Sequence, residues 1–339
     1  MPYHVYVSNA GSDFLSHFLM DEESGLLEAQ ADIALGGSPG ALATNRDGSR
    51  LFACLRSQGE YVSYDLDRGS GALSRIDATS VSEGAPYLAT DNTDRFLLAT
   101  YYGAGGVSVH GIGADGSLSP EPLQWIETDA HAHSIQTDRS NRFAYVPHTV
   151  PGNAIFQFRF DEATGALTAN DPPKVQPDTA EGPRHFVFHP SLDILYSINE
   201  DGCTVSAHHF DSETGRLSSF QMLPTLPHGA PAEGDSTAEI AITPDGRHLY
   251  GSNRGHDSLA LFEVAGDGRL TPRGHTPTEA TPRFFDLDPT GRYLYSAGQN
   301  TGRVAVFRID AGSGALERIQ TCEVGTSPLW IQFVEQDRS

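Results

Sequence analysis

One short pattern recurs seven times along the chain and limits what it can fold into. A polar turn leads into Gly-x-Leu at Gly25-Leu26-Leu27, Gly71-Ala72-Leu73, Gly116-Ser117-Leu118 and Gly165-Ala166-Leu167, and again at Gly215-Arg216-Leu217, Gly268-Arg269-Leu270 and Gly314-Ala315-Leu316. The glycines are 46, 45, 49, 50, 53 and 46 residues apart. A second pattern runs in phase, a turn followed by a short apolar strand, as in Asp245-Gly246-Arg247-His248-Leu249-Tyr250 and Thr290-Gly291-Arg292-Tyr293-Leu294-Tyr295. Between the two lie alternating segments such as Val304-Ala305-Val306-Phe307-Arg308-Ile309, whose period of two marks a strand with one buried face. A unit of this length with about four strands and no long helical pattern is a propeller blade. The chain therefore predicts an all-β, seven-bladed β-propeller of four-stranded antiparallel blades, one domain over residues 1–339.

The ends fit that ring. Val5-Tyr6-Val7-Ser8-Asn9 matches the second strand of a blade, and its missing first strand matches Ser327-Pro328-Leu329-Trp330-Ile331-Gln332-Phe333. The last blade is expected to draw strands from both termini, which removes exposed sheet edges. A closed ring without a long edge strand predicts a monomer.

Charge narrows the partners. The formal net charge of −22 lacks the Lys/Arg footprint that nucleic acid or an anionic membrane surface requires. Lys174 is the only lysine. The three cysteines, Cys54, Cys203 and Cys322, have no CxxC spacing, so neither disulfides nor a zinc site is expected, and Cys54 and Cys203 read as buried fillers. Neither a leader signature nor a run of 18 apolar residues is found, and a cytoplasmic protein is the simplest expectation.

In a propeller the innermost strands surround a channel, and function collects at its mouth. These strands are expected to begin near Pro39, Pro86, Ala132, Pro183, Thr237, Pro282 and Pro328, followed by Gly40, Tyr87, His133, Arg184, Ala238, Arg283 and Leu329. The ends of the second strands give Tyr102, Glu200, Arg254 and Gln299, with Asn199 just before Glu200. Repeat symmetry does not ask for charge at these places. Arg184, Arg254 and Arg283 suit a phosphate or carboxylate, and His133 and Glu200 are alternative general bases. His133, Glu200, Arg184 and Arg283 form the candidate catalytic set; Arg254, Gln299, Tyr102 and Asn199 are candidate substrate contacts. His131 and His133, two apart, invite a metal reading, but no third ligand is identifiable and no metal is expected. His185 and His189 read as turn or core residues, one of His208 and His209 should face solvent, and Trp125 and Trp330 read as packing. The segment Leu226–Asp235 reads as an inserted loop, a candidate lid over the mouth.

The segments Gly182-Pro183-Arg184-His185-Phe186-Val187-Phe188-His189-Pro190, Asn199-Glu200 and Thr278-Glu279-Ala280-Thr281-Pro282-Arg283 carry a resemblance, extended by Ala297-Gly298-Gln299 and Val324-Gly325-Thr326-Ser327-Pro328-Leu329-Trp330. The chain resembles, along essentially its whole length, the propeller-type 6-phosphogluconolactonases and the carboxymuconate-cyclising enzymes of the same fold. The resemblance implies neither metal nor organic cofactor, a small anionic lactone as substrate, and a mouth site built on His133, Arg184, Glu200 and Arg283. It leaves open a phosphorylated sugar lactone, a muconate or an unphosphorylated sugar lactone. A non-catalytic scaffold, the rival class, would place its signal on an outer face and leave the channel unmarked.

Overall fold

The computed structural model describes residues 2–228 and 234–337. Its strands form seven antiparallel sheets. Blade 1 runs Pro39–Thr44, Arg50–Leu55, Glu60–Leu66 and Leu73–Ser80; blade 2 runs Leu88–Thr90, Phe96–Tyr101, Gly106–Gly111 and Gln124–Glu127. Blade 3 runs Gln136–Thr137, Phe143–His148, Ala154–Asp161 and Ala166–Val175; blade 4 runs Pro183–Phe188, Ile194–Asn199, Thr204–Phe210 and Leu217–Pro224. Blade 5 runs Ser236–Ile242, His248–Arg254, Ser258–Val264 and Leu270–Pro277; blade 6 runs Pro282–Leu287, Tyr293–Gly298, Arg303–Ile309 and Leu316–Glu323. Blade 7 takes its innermost strand from Pro328–Glu335 and the others from Tyr3–Asn9, Phe14–Met20 and Leu27–Ala29, with Ile33–Ala34 also on Phe14–Met20. Tyr3 pairs with Glu335 and Ser8 with Trp330, so the ring closes between the two ends of the chain as the sequence predicts.

The Gly-x-Leu repeat is a stitch between blades. In five blades a buried tyrosine of the second strand donates its hydroxyl to the carbonyl of the next blade's repeat glycine: Tyr6 to Gly71, Tyr145 to Gly215, Tyr196 to Gly268, Tyr250 to Gly314 and Tyr295 to Gly25, at 2.7–2.9 Å. The residue two before that tyrosine packs directly on the same glycine. A Cβ on Gly314 would lie 2.5 Å from the His248 ring, and the backbone there is left-handed, with φ 72°. Only glycine meets both demands. Glutamines add a second thread: Gln320 brackets the Leu27 peptide, Gln124 that of Leu167 and Gln221 that of Leu270, each accepting from the N–H and donating to the C=O.

A β-bulge shapes the inner strands. In blade 4 Pro183 pairs with Asn199 and His185 with Ile198, which leaves Arg184 as an extra residue. Blade 6 does the same around Arg283, blade 7 around Leu329 and blade 1 across Gly40 and Ala41. A bulge breaks the in–out alternation and re-aims side chains. In these four blades two consecutive residues thereby reach the channel. Of the expected strand starts, Pro39, Pro183, Pro282 and Pro328 hold to the residue and blade 5 starts at Ser236. Blades 2 and 3 begin later, at Leu88 and Gln136, with Ala132 in an isolated bridge to His148. Gly229, Ala230, Pro231, Ala232 and Glu233 of the expected lid lie outside the described residues.

Candidate active site

The starts of the inner strands enclose a cavity of about 730 Å³ at one end of the channel. Its wall carries Arg56, Glu83, Tyr102, His133, Arg184, His185, Glu200, Arg283, Phe284 and Trp330. The bulges explain this lining, because Arg184 with His185, Arg283 with Phe284 and Leu329 with Trp330 are consecutive pairs that all face it.

Glu200 sits between two guanidinium groups. Arg184 Nε lies 2.8 Å from one of its oxygens and Arg254 Nη2 lies 2.9 Å from the other. Arg184 is almost fully buried and donates through Nη1 to the carbonyl of Ala238, while Arg254 donates to that of Thr237 at 2.7 Å. Burial alone would raise the Glu200 carboxyl, but Arg184, Arg254 and Arg283 outweigh it and hold it below its ordinary value. Burial pulls Arg184 down, with Arg283 and Arg254 adding to this and Glu200 opposing. Among the described residues, the guanidinium groups of Arg56 and Arg283 have no hydrogen-bond or ion-pair partner in the protein. The mouth thus holds two arginines that share one carboxylate, and two uncommitted cations.

His133 is buried and belongs to a chain of groups from three blades. Its Nδ1 is 3.1 Å from His185 Nε2, and His185 Nδ1 is 2.9 Å from both oxygens of Glu239. Both rings are held far below the usual histidine range, by burial first and the nearby arginines second, so both are neutral. Tyr102 meets His133 edge-on at 5.7 Å, stacks on His131 at 4.1 Å and shares a 3.3 Å hydrogen bond with Thr149.

An aromatic layer closes the floor. His185 meets Tyr87 edge-on at 5.2 Å, Tyr87 meets Trp330 at 5.1 Å, and Trp330 stacks on Phe284 at 4.3 Å. Beyond it a second cavity of about 630 Å³ is lined by the ends of the inner strands and includes Glu239 and Asp286. Burial pushes the Asp286 carboxyl up to about 7, and Glu239 adds to the shift.

The structure thus brings His133, Arg184, Glu200, Arg283 and Tyr102 to one cavity and places Arg254 behind Glu200. Asn199 turns away into blade 4, where its amide donates to Thr204 and Ser206 at 2.8 Å. Asn253 and Asn9 make the same kind of amide contacts at the matching place in blades 5 and 7, so this asparagine serves the repeat. Gln299 follows the second strand of blade 6 in a turn and is not part of the cavity wall. His185 is a wall residue, not the turn or core filler expected, and Trp330 packs and forms floor at once. His131 has left-handed backbone, which breaks the alternation expected to align it with His133, and among the described residues no group of three His, Cys, Asp or Glu side chains can hold a metal. His209 faces solvent and His208 is buried; Cys54 and Cys203 are buried and unpaired. Arg56 was within reach of sequence reasoning: it occupies in blade 1 the slot that Glu200 and Arg254 occupy in blades 4 and 5, since Pro39 pairs with Leu55 as Pro183 pairs with Asn199. No helix is long and apolar enough to cross a membrane among the described residues.

Known proteins share this architecture. A family model described as a lactonase, 7-bladed beta-propeller, matches residues 4–333. A 6-phosphogluconolactonase of Pectobacterium carotovorum is 33% identical over 335 residues, 98% of this chain and 99% of that one. A 6-phosphogluconolactonase of Xenorhabdus nematophila is 32% identical over 97% of this chain and 98% of its own. Among solved structures, a periplasmic gluconolactonase of Pseudomonas aeruginosa superposes with a TM-score of 0.91 at 26% identity, covering 99% of this chain and all of that one. The chain belongs to the seven-bladed β-propeller lactonase family and is a lactone hydrolase.

Proposed function

We propose that the substrate is 6-phosphoglucono-1,5-lactone, hydrolysed at the mouth cavity to 6-phosphogluconate, as in the pentose phosphate route. The observation that carries this reading is the pair of uncommitted guanidinium groups, Arg56 and Arg283, on the same wall as His133. A phosphate is matched by such forks, and two of them give an anion a local welcome on a chain of net charge −22. His133 takes the proton from the attacking water through Nε2, because its Nδ1 is committed to His185. Glu200, with one oxygen facing Arg184 and the other Arg254, fixes those groups in place, which leaves the role of base to His133. Arg184 and Arg283 stabilise the oxyanion that grows on the lactone carbonyl. The names of the Pectobacterium and Xenorhabdus relatives support a phosphorylated substrate; the Pseudomonas neighbour is titled a gluconolactonase and favours an unphosphorylated one.

Hydrolysis of the phosphorylated and unphosphorylated glucono-lactones by the wild type and by Arg56→Ala and Arg283→Ala decides between them. Loss of one charge-assisted contact lowers kcat/KM about 10- to 100-fold. For a phosphate site Arg56→Ala shows that loss on the phosphorylated lactone alone, while Arg283→Ala loses more on it than on the unphosphorylated one. Equal losses on both would reject the phosphate reading. We also take the whole chain, 1–339, as one domain that acts as a monomer in the cytoplasm. Three unpaired cysteines fit a reducing compartment, and recovery in a periplasmic fraction would reject that placement.

A further inference from the structure

We propose that His185 and Glu239 act with His133 as a proton relay, which carries the proton taken from the attacking water through the aromatic layer to a carboxylate on the far side of the channel. The proposal rests on the lactonase reading of the mouth and adds two positioning residues to it.

The geometry is a continuous chain. His133 Nδ1, His185 Nε2, His185 Nδ1 and the Glu239 carboxylate follow one another at 3.1 and 2.9 Å, from blades 3, 4 and 5. His133 lines the mouth cavity and Glu239 lines the second one. With Glu239 ionised, its oxygens accept from His185 Nδ1–H. His185 Nε2 then accepts from His133 Nδ1–H, and His133 Nε2 presents a lone pair to the mouth. With Glu239 protonated, every bond reverses: its O–H donates to His185 Nδ1, His185 Nε2–H donates to His133 Nδ1, and His133 Nε2 carries a proton and cannot activate water. One proton on Glu239 therefore sets the tautomers of both rings.

This solves a difficulty of the site. A proton left on His133 would make an imidazolium in a buried place beside Arg184, Arg254 and Arg283, which is unfavourable. Passing it along the chain leaves both rings neutral and puts the proton on a carboxylate. In the reaction, water oxygen bonds the lactone carbonyl carbon as its proton moves to His133 Nε2. The Nδ1 proton of His133 moves to His185, and that of His185 to Glu239. When the ring C–O bond breaks, the chain runs backwards and the leaving oxygen takes the proton from His133 Nε2. The hydroxy acid then ionises to solvent, and the enzyme is unchanged.

The surroundings of Glu239 tune it in both directions. Burial raises its carboxyl above the ordinary range, while Arg184 from blade 4 and the Ile240 N–H, 3.1 Å from Oε1, pull it back. Asp286 of blade 6 lines the same cavity, the Tyr87 ring of blade 2 stands beside His185, and the remaining cations, Arg254 and Arg283, act on the two histidines. The ionised, active form of Glu239 thus gains population as pH rises through neutrality.

Two measurements test the relay. In Glu239→Gln the amide can hold its place but cannot take a proton, and kcat falls about 100-fold or more, KM stays within about threefold, and the ascending limb of kcat at neutral to alkaline pH disappears. A variant with kcat within about threefold of wild type and an unaltered pH profile overturns the proposal. The second measurement needs no turnover: 15N imidazole NMR of the wild type from about pH 6 to about pH 9, with His133 and His185 assigned by their Gln variants. A concerted exchange of the two tautomers, His133 passing from Nε2–H to Nδ1–H as pH rises, supports the relay, and a His133 tautomer fixed across the range overturns it. If the tautomers exchange while neither sugar lactone is hydrolysed, the substrate reading fails and the relay stands.

Discussion

Glu200 shows how a single carboxylate holds this site together. It is the shared counter-ion of two guanidinium groups, one of them fully enclosed. Its folded-state pKa lies below the 4.5 of a free glutamate. A group so depressed contributes stability that is whole above the unfolded value and is lost as pH falls through the folded one. The urea midpoint of the wild type should therefore decline steeply below about pH 4.5, and Glu200→Gln should lack that part of the decline. At neutral pH the variant should be less stable by about 2–3 kcal/mol, below the ~3–5 kcal/mol that stranding a fully buried partner costs, because the Glu200 side chain keeps 21% exposure. Parallel declines in the two proteins would show that the pair adds nothing. Charge at a channel position was visible in the sequence, and it led directly to Arg184, Arg283, His133 and Glu200. What a side chain does once there was not: Asn199 and Glu200 are neighbours, yet one serves the repeat and the other the mouth.

The bulge accounts for most of what the sequence concealed. An alternating reading of Pro183-Arg184-His185-Phe186 puts Arg184 and His185 on opposite faces, and a histidine opposite a functional arginine reads as core. The extra residue in the pairing turns both inward, and a bulge has no side-chain signature of its own. Glu239 was hidden for the same reason: it lies in a bulge of blade 5, between Thr237 paired with Asn253 and Ile240 paired with Gly251, one place beyond the slot compared across blades. The Gly-x-Leu turns, by contrast, were legible at once because their spacing is regular, although their purpose lies in the preceding blade. That purpose can be measured. Tyr250→Phe removes the hydrogen bond to the Gly314 carbonyl and should cost about 1 kcal/mol in denaturant unfolding. Gly314→Ala forces a side chain into left-handed backbone and against the His248 ring, and should cost at least about 2 kcal/mol. If Gly314→Ala proved the milder of the two, the close approach would not be what the glycine is for.

For the whole molecule, closure is the decisive property. Blade 7 is assembled from residues 3–34 and 328–335, and the second of these also supplies Leu329 and Trp330 to the cavity. Removal of residues 328–339 should therefore do two things together. It bares the edge of Tyr3–Asn9, an invitation to pair with another chain, and it opens the floor of the site. Light scattering should find the intact protein at its 36.5 kDa chain mass and the shortened one in larger assemblies without lactonase activity. A shortened protein that stays monomeric with an unchanged melting temperature would show that the ring does not need its clasp. The ring, its blade count and the clasp were all readable from spacing, since seven similar units cannot each bury a face alone.

The layer of His185, Tyr87, Trp330 and Phe284 turns the propeller's through-hole into two blind wells set back to back. A guest in the first well leaves by the door through which it came. Acid and lactone must then queue for one seat, so accumulated product should slow the enzyme in a way that added substrate fully reverses.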